Sequence, residues 1–337
     1  MVNTLTLNSL TDRAGYSAHF MDPTLWEPYI RRVCQSHGLV CQKISPGVPG
    51  TFPTFIVEVN HQVIQRPAGS IVVKFYSHLF NGEASFHIER DLGSWLTGQS
   101  LSIPSPGVIA EGLLNPDWRY LIFKHVAGVS IGQVRDKLTK DDWSSVARSL
   151  GEYVHRLHAL TVDHNPELPI SIKPSLEGYV SFLEQQRLIC HVNHNTWNDL
   201  PAHLLDQLED FVLTVEHLVD FSAHPYLIHA DLTADHLLGR LENGRWRSLS
   251  VIDWGDAMSG NLLYELVALH LDLFQSDKQL LRTFLDAYGL PSFYQWDLPR
   301  KAFSMVLLNQ FPMPAQVYQP HRDARTLHDL AERLFAV

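Results

Sequence analysis

The order in which two kinds of hydrophobic pattern follow each other constrains the fold of this chain most. Short apolar runs rich in β-branched and aromatic residues are concentrated between residues 39 and 126, and helical spacing dominates after residue 128. Runs of strands followed by runs of helices are typical of α+β proteins, whereas a doubly wound parallel sheet needs alternating strands and helices. The sequence therefore predicts an α+β fold with a small antiparallel-sheet N-terminal lobe and a larger, mainly helical C-terminal lobe.

The strand-rich part is predicted to be an antiparallel meander accompanied by two helices. Turn-rich segments separate its first three strands, which is the pattern of consecutive hairpins. The predicted strands are Leu39–Ile44, Phe55–Val59, Ser70–Phe75, Gly107–Glu111 and Tyr120–Val126. We expect helices at Trp26–Gly38 and at residues 82–97, and a loosely packed polar leader over residues 1–22.

The helix-rich part contains one predicted hairpin. Leu237–Gly239 and Trp246–Ile252 are apolar runs on either side of Asn243-Gly244, a dipeptide that favours a two-residue hairpin turn. Helical spacing returns at Tyr264 and continues to the end of the sequence.

Charge and composition disfavour several functional classes. The 337 residues include 26 basic and 36 acidic side chains, a net charge of −10 with neutral histidines, so a broad cationic face for nucleic acid is not expected. No uninterrupted apolar stretch reaches the roughly 18 residues of a membrane span, and residues 1–20 lack the pattern of a secretory signal. The three cysteines cannot all pair and no C-x-x-C occurs, which argues against a disulfide framework. The default expectation is a cytoplasmic globular protein without membrane or nucleic-acid partners.

A lysine in a strand and a glutamate in the next helix form a candidate ion pair. Lys74 lies inside the β-branched run Ile71–Tyr76, where it must face either water or a specific anion. Glu89 aligns with Leu92 and lies on the edge of an apolar helical stripe, and burial of its carboxylate is costly unless a cation meets it. A Lys–Glu pair of this kind is part of the kinase scheme, but a solvent-facing Lys74 is the simpler interpretation of that residue alone.

Two aspartates on either side of the predicted hairpin form a second constellation. Asp231 follows the apolar run Tyr226–Ile228, and Asp253 lies just past another apolar run, 22 residues later in the sequence. An aspartate at the end of an apolar run is poorly placed for mere solvation. Two such carboxylates can converge, one accepting a hydroxyl proton and the other holding Mg²⁺ on phosphate oxygens.

The segments around these aspartates resemble the aminoglycoside phosphotransferase and choline-kinase-like family of the protein-kinase-like superfamily. The matching segments are His229-Ala230-Asp231-Leu232, Val251-Ile252-Asp253-Trp254-Gly255-Asp256-Ala257, Gly260 and Tyr264-Glu265-Leu266. The resemblance covers about residues 40–310, and His229–Leu290 is also similar to phosphotransferase-like domains fused to JmjC proteins in plants. It implies a bilobal protein-kinase-like fold that uses ATP and Mg²⁺ to phosphorylate a hydroxyl of a small molecule, such as an aminoglycoside, choline or another amine or sugar.

The resemblance also implies a division of the chain and a role for each matching residue. Residues 23–126 would be the nucleotide-binding lobe and residues 127–337 the catalytic and substrate lobe, with ATP in the cleft. Asp231 would be the catalytic base, Asp253 the principal metal ligand, Lys74 the partner of the α- and β-phosphates and Glu89 the residue that orients this lysine. The backbone of Phe123, Lys124, His125 and Val126 would meet adenine, while His229 and Glu265 would support the scaffold.

Two departures from the family pattern affect this interpretation. Five residues after the base the family has asparagine, but this chain has His236, an imidazole that suits Mn²⁺ or Zn²⁺ better than Mg²⁺. Either His236 coordinates the metal through one nitrogen, or Asp235 or water replaces the asparagine, or phosphoryl transfer is impaired. The second departure is the proline-rich phosphate loop Ser45–Thr51, in which the backbone N–H donors are those of Gly47, Val48, Gly50 and Thr51.

Other functional classes compete with this interpretation. Gly128-Val129-Ser130-Ile131-Gly132 matches the nucleophile elbow of serine hydrolases, although no βαβ alternation precedes it. The simpler interpretation is that Ser130 caps a helix at Ile131–Leu138. A kinase-like scaffold that binds a nucleotide or metabolite without turnover is the main alternative, and His236 together with the proline-rich loop motivates it.

The sequence bears on the charge of the acceptor but not on its identity. The acidic balance of the chain, with Asp256 and Asp235 beside the matching segments, is compatible with a cationic acceptor. The 19 histidines lack the spacing of an HExxH or paired C-x-x-C metal site, so we interpret them as scattered core and surface residues.

Overall fold

The chain forms two compact units. The structure is a computed structural model that describes residues 10, 16, 19–48, 50–61, 69–162, 168 and 172–337. The first unit combines the residues up to Gln99 with Pro104–Gly128 and Ile252–Gly255, and the second combines Ser100–Ile103, Val129–Val251 and Asp256–Val337. The short segment that carries Asp253 therefore belongs to the first unit, although most of its sequence neighbours belong to the second.

The first unit is built on one antiparallel sheet. Its strands β1 to β5 are Leu39–Pro46, Thr54–His61, Gly69–Ser77, Val108–Asn115 and Trp118–Lys124. They are arranged in the order β1-β2-β3-β5-β4. The predicted meander is confirmed, because β1 pairs with β2 and β2 with β3, both antiparallel. Helices α1 (Pro23–Ser36) and α2 (Gly82–Leu96) belong to this unit.

Most of strand β3 is buried, because both of its faces are covered. Side chains alternate between the two faces along a strand, so Val73 and Phe75 alternate with Lys74 and Tyr76. Phe75 packs in a cluster with Trp26 of α1, whereas Tyr76 packs in a separate cluster with Phe86 of α2. Each large apolar side chain buried in this way contributes about 2 kcal/mol to stability. Lys74 consequently lies on the face of the sheet that α2 covers.

Helix α1 begins earlier than the apolar pattern predicts. The expected helix was Trp26–Gly38, and the observed one starts at Pro23 with Asp22 as its N-cap. The Asp22 carboxylate accepts the N–H of Thr24 at 2.9 Å, and proline is favoured in the first turn, where its missing N–H is not needed. Much of the predicted leader lies outside the described residues, although Leu10 and Tyr16 are buried in the cluster that contains Trp26.

The second unit is mainly helical and contains two small sheets among its described residues. Its helices α3 to α13 are Lys140–His158, Leu176–Trp197, Ala202–Leu205, Leu208–Phe211, Val215–Leu218, Leu262–Ala268, Lys278–Tyr288, Ser292–Gln295, Leu298–Leu307, Ala315–Tyr318 and Leu327–Phe335. A 3₁₀-helix, Ile131–Lys137, precedes α3, and a π-helical turn, Leu269–Leu273, continues α8. Among the described residues, none of the helices has both the length and the apolar character that a membrane span requires.

The two small sheets carry the loops that contain the predicted aspartates. One sheet contains β6 (Val129–Ser130), β8 (Leu237–Glu242) and β9 (Arg245–Val251), and the other pairs β7 (Tyr226–Ile228) with β10 (Met258–Gly260). The predicted hairpin turn is confirmed, since Asn243 and Gly244 have φ values of +52° and +77°, as a type I′ turn requires. Strands β6 and β10 were not predicted because two or three residues are too few to show a period.

Candidate active site

Lys74 lies at the centre of a buried ion-pair cluster in the first unit. Its Nζ donates to Glu89 Oε2 at 2.8 Å and to Asp253 Oδ1 at 2.6 Å, and only 5% of the residue is exposed. The interpretation of Lys74 as a solvent-facing strand residue is therefore wrong. Strand β3, helix α2 and the segment after β9 each contribute one member of this cluster.

The electrostatics of the cluster keep the ammonium charged. Burial disfavours the charge on Lys74, but the carboxylates of Asp253 and Glu89 outweigh burial and hold the pKa of Lys74 above its ordinary value. Burial raises the pKa of Glu89, and the neighbouring ammonium opposes that rise. A buried ion pair of this kind is stable only when further hydrogen bonds satisfy it. The Tyr76 hydroxyl supplies one, since it donates to Glu89 Oε2 at 2.6 Å.

Two aromatic rings that the sequence analysis missed enclose the lysine. The Lys74 ammonium lies 5.5 Å from the ring centre of Tyr76 and 5.6 Å from that of Phe52, within the range of cation–π attraction. Tyr76 follows Lys74 by two residues and shares its face of the strand, so the alternation of β3 could have identified it. Phe52 comes from the loop between β1 and β2, and no periodicity indicates its position.

Asp253 has an unusual backbone conformation. Its φ is +64°, in the left-handed region that non-glycine residues rarely adopt, and 28% of its side chain is exposed. Such a conformation costs about 1–3 kcal/mol, and it persists where the surrounding structure imposes it, often at functional sites. Gly50 lies beside this residue, because a Cβ built on Gly50 would be 3.8 Å from Asp253 Oδ2. The carboxylate is thus directed by its backbone toward both Lys74 and the β1–β2 loop.

The β1–β2 loop offers fewer backbone donors than expected. The Gly47 N–H donates to the Thr54 carbonyl at 2.8 Å, and a Cβ on Gly47 would lie 2.9 Å from Thr54 Cγ2. This glycine therefore closes the turn, which corrects the expectation that its N–H could hold a phosphate. Val48, Gly50 and Thr51 stay predicted donors, and Pro49 lies outside the described residues.

The segment predicted to meet adenine lies at the end of β5. The side chain of Phe123 is buried in the cluster with Phe52 and Tyr76, and the Lys124 N–H donates to the Gly107 carbonyl at 3.0 Å. His125 and Val126 follow the last residue of the strand. The Lys124 N–H is thus already hydrogen-bonded within the unit. The residues that stay predicted to contact adenine through their backbone are mainly His125 and Val126.

Asp231 lies in the second unit, in a loop that we call the Asp231 loop, residues 229–236. About 38% of its side chain is exposed, and its N–H donates to His229 Nδ1 at 3.3 Å. Ala230, which precedes it, has a φ of +67°, a second strained position next to a predicted functional carboxylate. The backbone therefore turns sharply at Ala230 immediately before Asp231.

Glu265 anchors the start of the Asp231 loop. This fully buried residue of α8 accepts the N–H of His229 at 2.8 Å and that of Ala230 at 3.4 Å through Oε2. Burial raises the pKa of Glu265 to about 7, and the two N–H donors oppose that rise. Its other carboxylate atom, Oε1, has no hydrogen-bond partner among the described residues. These contacts agree with the scaffold role that the family resemblance implies for Glu265.

His236 closes the Asp231 loop through its ring. Its Nδ1 lies 2.6 Å from the Asp231 carbonyl, which can only accept, so Nδ1 carries a proton and a neutral ring has its lone pair on Nε2. The same nitrogen lies 3.5 Å from Asp231 Oδ2. The structure thus brings the predicted site residues together in two groups, Lys74 with Glu89 and Asp253 in one unit, and Asp231 with His236 in the other.

Comparison with known proteins identifies the family. A sequence model described as "Phosphotransferase enzyme family" matches residues 54–302, which is more than half of the chain. The chain belongs to the phosphotransferase enzyme family. The predicted family and the predicted enzyme class, a small-molecule phosphotransferase, are thereby confirmed.

Solved structures of phosphotransferases share the fold of this chain. A GDP complex of aminoglycoside 2'-phosphotransferase-IIIa is 19% identical and superposes with a TM-score of 0.66, covering 93% of this chain and 97% of that one. A GDP and kanamycin complex of APH(2")-IIia is 20% identical with a TM-score of 0.64, covering 91% of this chain and 95% of that one. The predicted protein-kinase-like α+β fold is confirmed by these likenesses.

A curated plant protein is also similar in sequence. Lysine-specific demethylase JMJ21 of Arabidopsis thaliana is 26% identical over 204 residues, which cover 52% of this chain and 22% of that protein. The chain thus matches about a fifth of the length of this relative. This similarity agrees with the resemblance to plant JmjC-fused domains.

Ser130 does not act as the sequence analysis expected in this phosphotransferase. The segment Ile131–Lys137 is a 3₁₀-helix, and the Ser130 hydroxyl does not cap it. The hydroxyl is fully buried and donates to Asp235 Oδ1 at 3.1 Å. A buried hydroxyl held in this way is not an accessible nucleophile, which argues against the serine hydrolase alternative.

Several histidines of the described chain have hydrogen-bond partners of their own. The buried ring of His194 contacts Asp199 Oδ1 at 2.8 Å and the Leu307 carbonyl at 2.9 Å. Burial opposes its charge, but the hydrogen bonds of the ring, first of all the one that the Asp199 carboxylate accepts, outweigh burial and raise the pKa of His194 to about 10. No group of three or more His, Cys, Asp or Glu residues with metal-binding geometry is found in the part of the chain that the structure describes.

Proposed function

We propose that this phosphotransferase transfers the γ-phosphate of ATP to a hydroxyl of a small, amine- or sugar-like acceptor. The observation that carries the proposal is Lys74, a buried ammonium held between Glu89 and Asp253. Such a costly arrangement of charges contributes little to stability by itself, and it matches the needs of a bound triphosphate. The neighbouring Gly50 backbone adds support, because it lies beside Asp253.

The first unit would bind the nucleotide. Lys74 would neutralise the α- and β-phosphates while Glu89 keeps its ammonium oriented, and the N–H groups of Val48, Gly50 and Thr51 would donate to phosphate oxygens. The backbone of His125 and Val126 would meet adenine. The neighbouring structures that contain GDP or ADP support a nucleotide site in a chain of this fold, and the choice of ATP over GTP belongs to the proposal.

Asp231 would act as the base in the transfer step. A bond forms between the acceptor oxygen and the γ-phosphorus, and the bond from that phosphorus to the β–γ bridging oxygen breaks. The leaving ADP keeps the electron pair, and the hydroxyl proton passes to the Asp231 carboxylate. The transition state of this reaction is loose, so orientation of the hydroxyl contributes more than its early deprotonation.

The donors present fit a divalent metal bound together with the nucleotide. Mg²⁺ takes one or two carboxylates and completes its shell with water and phosphate oxygens, and the partly exposed carboxylate of Asp253 suits this requirement. His236 would contribute a softer nitrogen ligand that favours Mn²⁺. When bound, the metal supplies positive charge to the phosphate oxygens.

The surroundings of Asp231 favour a cationic acceptor. Asp256 is exposed, and Phe182 packs edge-on against Tyr264 with 5.9 Å between the ring centres. Burial raises the pKa of Tyr264 to about 12, and the carboxylates of Asp256 and Asp231 add to that rise. A negative region beside aromatic rings suits an ammonium group. Solved phosphotransferases of this fold bind kanamycin, gentamicin or hygromycin B, which supports an amine-bearing acceptor class.

A screen for phosphoryl acceptors tests the proposal. The purified chain is incubated with ATP or GTP, with Mg²⁺ or Mn²⁺, and with aminoglycosides, choline and amino sugars, while ADP or GDP release and product mass are followed. We expect at least one amine-bearing product that has gained a phosphoryl group. Nucleotide binding by calorimetry without turnover under any condition would instead favour the non-catalytic scaffold, and absence of nucleotide binding would contradict both.

A further inference from the structure

The segment Gly128–Gly132 has no role in the proposed phosphoryl transfer, and it lies against the Asp231 loop. Ser130 Oγ donates to Asp235 Oδ1 at 3.1 Å, and the Gly132 N–H donates to the Ala234 carbonyl at 3.2 Å. A Cβ on Gly132 would lie only 3.1 Å from Asp235 Oδ1, so the Asp235 carboxylate would have to shift by a few tenths of an ångström to admit a larger residue. This segment therefore holds the second half of the Asp231 loop.

The carboxylate of Asp272, in the π-helical turn, binds the Asp231 loop at the backbone N–H of Ala234. Asp272 Oδ1 accepts the Ala234 N–H at 2.7 Å. The turn Leu269–Leu273 that carries Asp272 has π-helical hydrogen bonding, a rare feature that is frequent at functional sites. Arg135 donates to the carbonyls of Asp272 and Leu273 at 3.3 and 3.0 Å, and its guanidinium lies 4.7 Å from the ring centre of Trp143. The Asp272 backbone is thus fixed independently of the loop.

The Asp231 loop is short and closed on itself, so a shift at Ala234 reaches Asp231. The Thr233 N–H donates to the Asp231 carbonyl at 2.9 Å, and the His236 N–H donates to the Thr233 carbonyl at 3.2 Å. The His236 ring donates to the Asp231 carbonyl as well. These bonds join the two halves of the loop into one rigid turn that contains the proposed base.

We propose that Asp272 is a positioning residue for phosphoryl transfer, which holds Ala234 and thereby orients the Asp231 carboxylate. Ser130 and Gly132, from the segment that resembles a nucleophile elbow, hold the same half of the loop. We call Asp272, Ser130 and Gly132 the clamp. The inference rests on the proposed function, because it assigns Asp272 to the reaction of Asp231. Misplacement of a reacting group by about 1 Å can cost a hundredfold in rate, so a clamp remote from the chemistry can control turnover.

Comparison of two aspartates tests this role. Asp272→Ala removes a carboxylate that accepts a loop N–H, whereas Asp277→Ala removes one that accepts the N–H groups of Gln279 and Leu280 at the start of α9. We expect Asp272→Ala to lower kcat by about tenfold to a hundredfold and to leave nucleotide affinity within about twofold. Asp272→Asn keeps an acceptor oxygen and should recover most of kcat. Asp277→Ala should lower Tm without changing the kcat of the folded protein.

Hydrogen exchange of residues 229–236 supplies a readout that does not depend on turnover. Exchange in this peptide should be about tenfold faster in Asp272→Ala and unchanged in Asp277→Ala. Equal exchange in the two variants, or a kcat of Asp272→Ala within twofold of the unsubstituted chain, would overturn the inference. If the unsubstituted chain transfers no phosphate while exchange changes only in Asp272→Ala, the clamp stands and the proposed function fails.

Discussion

Lys74 Nζ lies 2.6 Å from Asp253 Oδ1, although 179 residues separate the two in sequence. The contact places one of the two predicted aspartates with the lysine and Glu89 in the first unit, whereas Asp231 belongs to the second. The charged residues proposed to hold phosphate therefore belong to one unit, and the proposed base belongs to the other. Substitutions should separate nucleotide affinity from turnover.

Removal of the Glu89 charge should weaken nucleotide binding. Glu89→Gln leaves Lys74 with Asp253 as its charged partner, so the ammonium is drawn away from the position that Glu89 defines. We expect the Kd for ATP to rise about tenfold, the effect of losing about 1.4 kcal/mol of interaction. Calorimetry measures this, and Glu83→Gln on the same helix, where the carboxylate is exposed, is the control. Equal ATP affinity in both variants would refute the orienting role of Glu89.

Exchange of His236 for the family residue should change metal preference. Asparagine can still donate to the Asp231 carbonyl, but it offers an oxygen in place of the imidazole nitrogen as ligand. We expect the ratio of kcat with Mn²⁺ to kcat with Mg²⁺ to fall about tenfold in His236→Asn. The exposed His217 provides the control His217→Asn. An unchanged ratio would remove His236 from the metal site.

Glu265 should make stability fall as pH rises toward neutrality. Its pKa is about 7 in the folded protein against an ordinary value of 4.5, so the folded state binds the proton more tightly. The resulting stability is fully present below pH 4.5 and is lost as pH rises through about 7, at a cost of up to about 3 kcal/mol. Glu265→Gln keeps an acceptor oxygen but cannot ionise, so it should gain stability relative to the unsubstituted chain between pH 5 and 8.

Chemical denaturation at several pH values measures this gain. The exposed Glu332 provides the control Glu332→Gln, for which the difference from the unsubstituted chain should be small and constant. A difference for Glu265→Gln that is also constant with pH would show that Glu265 does not titrate in this range.

The ion-pair cluster was partly predictable from local patterns. A lysine inside a β-branched strand and a glutamate on the edge of an apolar stripe each conflict with their surroundings, and such conflicts are typical of functional sites. The alternation of side chains along β3 places Tyr76 on the same face as Lys74, so it could also have identified Tyr76 as a member of the cluster. The asparagine-glycine hairpin followed from turn chemistry alone, since both residues tolerate positive φ.

The supports of the Asp231 loop were not predictable, because they depend on tertiary contacts. Ser130 follows a strand and precedes a helix, so a cap was the natural prediction, but its hydroxyl bonds to Asp235 instead. The π-helical turn at Asp272 has the same apolar spacing as an α-helix in the sequence. The Gly47 N–H cannot serve a phosphate because it donates to the carbonyl of Thr54, a residue beyond the loop itself.

The role of Asp231 as the base is tested by measuring the kinetics and ATP binding of Asp231→Asn, with Asp286→Asn at an exposed position of α9 as the control. We expect Asp231→Asn to bind ATP within about twofold of the unsubstituted chain and to lose at least about a hundredfold in kcat for phosphoryl transfer. Near-full transfer activity in Asp231→Asn would show that Asp231 is not the base, because the proton of the acceptor would then need no carboxylate at this position.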